Sequence, residues 1–181
     1  MSAPLLLTAL LLAHVPGHLQ PDEAFVLPAP EASAALFGVF VTGEERFVIR
    51  ITHATRFATP IELMVPHEER LRAHRPAWAL VGPGLPAPTD AERAALPAPL
   101  PDGFGAVVEL NQEEPRRVLW ESVMRRFFWT TGALAVVLPK GDSELWVWSP
   151  QKTTGKFGIG YGVEENGGYM KALEDWSFYA Y

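Results

Sequence analysis

RFVIRIT, Arg46 to Thr52, is the stretch that decides the fold. Phe47, Ile49 and Ile51 alternate with Val48 and Arg50, and a period of two is the mark of a strand with one buried face. Working outward, Thr42-Gly43-Glu44 supplies a tight turn back to SAALFGVFV (Ser33 to Val41), an apolar strand with an internal glycine. Downstream, PIELMV (Pro60 to Val65) puts Ile61, Leu63 and Val65 on one face, and AWALV (Ala77 to Val81) follows as a fourth strand. Further strands are expected at Gly105 to Leu110, Val118 to Glu121, Phe127 to Thr130, Ala133 to Leu138, Glu144 to Trp148 and Lys156 to Tyr161.

Between them, Gly82 to Gly103 is crowded with proline, and within it Thr89-Asp90-Ala91-Glu92 reads as a helix start running to Leu96. Short strands separated by turn signals, with no long helical periodicity and no internal repeat, predict an all-β, antiparallel β-sandwich with one short surface helix. The chain divides into a leader at 1–20, a sandwich domain at 21–165 and an aromatic tail at 166–181. In that tail Tyr169, Leu173, Trp176 and Tyr179 or Tyr181 fall near helical spacing, so a short C-terminal helix is expected.

The 181 residues suit one domain, and 48% apolar with 20% charged residues is a globular balance able to bury a core. Six Trp and ten Phe point to large rings within it. The net charge of −6, with arginines scattered among acids, argues against nucleic-acid binding, which needs a clustered basic face. Arg116-Arg117 and Arg125-Arg126 are interrupted by Leu119, Trp120, Val123 and Met124 and read as solvated strand positions. With no cysteine there are no disulfides and no thiolate metal sites.

Pro4 to Ala13 (PLLLTALLLA) has the length of a signal-peptide core and falls short of a membrane span. No Lys or Arg precedes it, so the usual positive n-region is missing; the segment is read as an export leader, cleaved or kept as a short hydrophobic anchor. Cleavage at Ala13–His14 would leave His14 as the mature N-terminus. A terminal amine with its own imidazole chelates Cu(II), and His18, His53, His67 or His74 could supply a second ring. The plainer alternative is a Pro/Gly leader whose histidines bind nothing.

Pro139-Lys140-Gly141, the strand Glu144 to Ser149 and the "G-x-aromatic" element Gly155-Lys156-Phe157 resemble the closing strands of pre-peptidase C-terminal β-sandwich domains. Ser33 to Val39, Trp78 to Pro86, Trp120 to Ser122 and Gly162 to Glu165 are similar, in order, to a group of uncharacterised secreted bacterial and archaeal proteins. This resemblance, spanning about Glu23 to Glu165, implies a jelly-roll-like sandwich and export and carries no activity with it.

No catalytic constellation emerges. G-x-S-x-G and H-E-x-x-H are absent, and Gly82-Pro83-Gly84 fits a turn rather than a phosphate loop. His67 and His74 stand seven apart, but Arg70, Arg72 and Arg75 would repel a cation between them. Glu113, Glu114, Glu121, Glu164 and Glu165 could converge from loops to hold Ca²⁺, although the spacing is not that of a calcium loop and edge glutamates are usually solvated. The candidate metal set is therefore His14, Glu121 and Glu165, for Cu or Ca. Trp120, Phe127, Phe128, Trp129, Trp146 and Trp148 could form a carbohydrate platform, but Trp146 and Trp148, sharing one strand face, read first as a core pair.

The expected function is a non-enzymatic extracytoplasmic interaction or accessory module with a protein partner, at a membrane complex. Its candidate partner-binding residues are Tyr169, Trp176, Phe178, Tyr179 and Tyr181, since Trp and Tyr suit interfaces. A periplasmic copper-binding protein and a carbohydrate-binding module are the alternatives.

Overall fold

The computed structural model describes residues 15–162 except 22, 28, 29, 122 and 123. Its elements are β1 (Val15–His18), β2 (Phe25–Val26), β3 (Ala34–Phe40), β4 (Arg46–His53), β5 (Phe57–Pro66), a single 3₁₀ turn (Glu69–Leu71), β6 (Ala77–Pro83), α1 (Asp90–Ala95), β7 (Phe104–Glu109), β8 (Arg117–Glu121), β9 (Arg126–Thr130), β10 (Leu134–Leu138), β11 (Gly141–Trp148) and β12 (Gly155–Tyr161). Each strand expected from the sequence is present, while β1 and β2 are additional, β1 lying within the stretch read as the leader. The alternation in β4 places Phe47, Ile49 and Ile51 in the interior and leaves Arg50 in solvent.

Two sheets form the sandwich. The seven-stranded sheet runs β1-β3-β12-β5-β9-β8 with β10 also paired to β5, and the five-stranded sheet runs β2-β4-β11-β6-β7. Most pairs are antiparallel, as expected, but both sheets are mixed. β1 runs parallel to β3 and β2 parallel to β4. Both parallel strands come from the N-terminal segment, which crosses from one sheet to the other instead of turning back in a hairpin. β1 begins at Val15, two residues past the expected cleavage point.

The core lies between the sheets. Rings of Phe40, Phe47 and Phe157 meet at centroid distances of 5.0–5.1 Å, with Ile61, Leu63, Val65, Leu145, Val147 and Ile159 packed around them. Gly38 is required there, because a Cβ on it would come within 2.6 Å of the Phe157 ring. Gly43, at φ +82, closes the β3–β4 turn against the Lys152 backbone, and the Glu45 carboxylate accepts the N–H groups of Val41, Thr42 and Gly43 at 2.7–2.8 Å.

Trp146 and Trp148 are buried, but not in the inter-sheet core. β11 sends Leu145 and Val147 inward, so its tryptophans face the outer side of the five-stranded sheet. There the proline-rich segment after α1 covers them with Leu96, Ala98 and Leu100, making a second, smaller core. α1 is opened by a capping box in which Thr89 and Glu92 bond reciprocally.

Candidate functional site

A row of exposed apolar side chains, two of them aromatic, lies at one end of the seven-stranded sheet. Val118, Trp120 and Phe127 are each about half exposed, at 53, 51 and 52%. The β8–β9 register pairs Trp120 with Phe127 and Val118 with Trp129, and directly opposed residues share a face. Trp129 in turn opposes Val65 of the core. The row is therefore the continuation of the inner face past the point where anything covers it. Trp120 and Phe127 meet at 4.8 Å with their planes 61° apart, a T-shaped contact. The His67 ring lies 4.5 Å from that of Trp129, tilted by 48°, and extends the row.

Beside that row lies a cavity of about 330 Å³, walled by His67, Glu69, Arg72, Arg75, Glu114, Arg116 and Trp129. The Arg116 guanidinium sits 4.6 Å from the Trp129 ring centroid, within cation–π range. Its Nη1 donates to the Arg72 carbonyl at 3.0 Å, while Nε and Nη2 are buried without a hydrogen-bond partner. Burial first, and the neighbouring Arg75 charge second, lower the Arg116 pKa to about 10. Arg75 is held by Glu114 and donates to the carbonyls of Asn111 and Glu113 at 3.1 and 3.4 Å. Arg72 pairs with Glu69 at 3.5 Å. Arg116 is thus the guanidinium of this cavity that has no carboxylate of its own.

Two larger hollows, each about 530 Å³, offer less chemistry. One, lined by His18, Leu19, Phe37, Val41 and Phe47, is largely apolar, and the Glu45 oxygens at its edge are taken by backbone N–H groups. The other pairs its Lys152 with Glu44 at 2.8 Å.

Of the residues expected to bind metal, Glu121 alone lies among the described residues. No group of three or more His, Asp or Glu able to hold a metal ion occurs among the described residues. Glu113 pairs with Arg117 and Glu114 with Arg75, and Glu121 stands at the far end of β8, roughly 13 Å from Arg117 by strand rise, accepting the Met124 N–H. His67 is exposed, whereas the single 3₁₀ turn directs His74 inward, where Nδ1 bonds Thr153 Oγ1 at 2.9 Å. His14 and Glu165, and the tail residues Tyr169, Trp176, Phe178, Tyr179 and Tyr181 with their expected helix, lie outside the described residues.

Reading the sequence missed Arg116. In the sequence it reads with Arg117 as a solvated strand position, but it precedes β8 and is half-buried against a tryptophan thirteen positions away. A long-range stack of that kind leaves no periodic signal. Trp120 and Phe127 were recognised as aromatics; their exposure follows from where the covering sheet ends.

These features define the chain as an all-β sandwich of two mixed sheets. No family model matches the sequence, and no curated protein matches it. Among solved structures, the pre-peptidase C-terminal domain of a collagenase from Bacillus anthracis is similar at 10% identity and a TM-score of 0.40, over 78% of this chain and 97% of that one. No helix among the described residues is long and apolar enough to cross a membrane.

Proposed function

We propose that the protein is a non-enzymatic, exported interaction module that docks a protein partner over the β8–β9 edge. The observation that carries this reading is the uncovered inner face of Val118, Trp120 and Phe127 beside an arginine whose Nε and Nη2 have no partner. Trp and Arg are the side chains most enriched in interface hot spots. A partner places apolar side chains on the aromatic row and polar acceptors beside Arg116. Export is supported by the apolar run at Pro4 to Ala13. A flat sugar platform is less well supported, because the two exposed rings cross at 61° instead of lying side by side.

Photo-crosslinking in the producing cells tests the reading. A photoreactive residue in place of Trp120 should give discrete protein adducts, and the same residue in place of exposed Thr52 on β4 should not. Equal labelling at both positions, or none at Trp120, would overturn the docking role.

A further inference from the structure

The free edge of the docking surface has a self-complementary sequence. β8 ends the seven-stranded sheet, so the side turned away from β9 has no strand beside it among the described residues. Edge strands are commonly blunted by Lys, Pro or a bulge, and RVLWE contains neither Lys nor Pro. β1, at the opposite edge of the same sheet, does carry Pro16.

We infer that the partner fitted to this edge is a second copy of the chain, joined β8 to β8 in antiparallel fashion about Leu119. The inference rests on the docking role proposed for β8–β9. A two-fold axis between antiparallel strands stands normal to the sheet, so opposed residues share a face. Centring it on Leu119 sets Arg117 against the partner's Glu121 and, by symmetry, Glu121 against the partner's Arg117. Leu119 meets the partner's Leu119 on that same face. The other face sets Val118 against the partner's Trp120, and the reverse, so the two aromatic rows become one. Moving the axis to Val118 or Trp120 loses both opposite-charge pairs, which makes this register specific.

The side chains are positioned for this exchange. Arg117 now pairs with Glu113 at 2.9 Å, with both groups more than half exposed, and a solvated pair of that kind is cheap to trade. Glu121 is fixed at the strand end by the Met124 N–H. Since β8 has only five residues, the contact falls at the small end of protein interfaces, and association at micromolar concentrations is expected.

The test is sedimentation velocity on the full chain from about 1 μM to 1 mM, with circular dichroism to confirm that each variant folds. The wild type should move from monomer to dimer with concentration. Arg117→Glu and Glu121→Arg should each weaken association about tenfold, since each sets two like-charged pairs face to face. The double variant Arg117→Glu with Glu121→Arg should return to within about threefold of wild type. A double variant no tighter than the single ones overturns the register. A wild type that stays monomeric overturns self-pairing, as do β8 amides whose hydrogen-exchange protection does not depend on concentration. Adduct mass at position 120 separates the two readings. Adducts of exactly two chains support self-pairing, adducts only of other masses leave docking standing without it, and no adduct removes both.

Discussion

His74 makes the stability of the sandwich depend on pH in a direction and over a range that the structure fixes. The ring is 2% exposed, packs on Phe40 at 5.5 Å and keeps Nε2 buried without a hydrogen-bond partner. Desolvation by burial, assisted by the Arg116 charge, lowers its pKa from 6.5 to about 4. The folded state therefore binds the proton less readily than the unfolded state does. This contribution to stability is present above pH 6.5 and is lost as the pH falls toward 4, with a limiting slope of about 1.4 kcal/mol per pH unit. Across the shift the full loss is about 3 kcal/mol, most of it gone by pH 4.5. The perturbation is His74→Asn, which keeps a polar atom near the Nδ1 position for Thr153 and removes the titration. Urea unfolding midpoints at pH 7.5, 6.5, 5.5 and 4.5 are the assay, and the difference between variant and wild type isolates this group from the carboxylates. The variant should be the less stable protein at pH 7.5 and should recover most of that difference, on the order of 2–3 kcal/mol, relative to wild type by pH 4.5. Parallel stability curves for the two proteins would refute the reasoning.

Gly38→Val drives a side chain into the Phe157 ring 2.6 Å away and should cost about 2 kcal/mol or more in chemical denaturation, with the fold retained. Trp148→Ala removes a buried side chain from the outer core and should destabilise by about 3–5 kcal/mol, while glycan-array signal stays unchanged from wild type. Glu45 is raised by burial, but the combined hydrogen bonds from the Thr42, Glu45 and Val41 backbone and the Thr42 side chain outweigh this, leaving its pKa below the ordinary carboxylate value. Carboxyl NMR titration should find that lowered value. The corresponding stability is present above the unfolded-state pKa and is lost as pH falls through the lowered one.

How much of this was legible in the sequence depended on the range of the interaction. Strands such as β4 and β5 could be read because each residue's face is set by its immediate neighbours, and the period-two pattern records that. The α1 cap was readable for the same reason, since Thr89 and Glu92 are three residues apart. The parallel pairing of β1 and β2 was not, because it depends on where the N-terminal segment crosses between sheets and not on its own composition. Trp146 and Trp148 show the intermediate case. Alternation with Leu145 and Val147 gave their shared face, but only the proline-rich segment after α1 decides that this outer face is dry.

The same distinction explains the candidate site. The residues of one inner face run from Val65 through Trp129 to Phe127 and Trp120, yet the first two are buried and the last two half exposed. Nothing in those side chains differs in kind. The difference is position: burial ends between Trp129 and Phe127, and Arg116 lies over Trp129 at that boundary. An aromatic face left uncovered on an open edge is a liability in a monomer, because it invites pairing with other chains. Large rings at such a position make physical sense when something docks there, which is the reason the proposed docking is at the edge and not in the core.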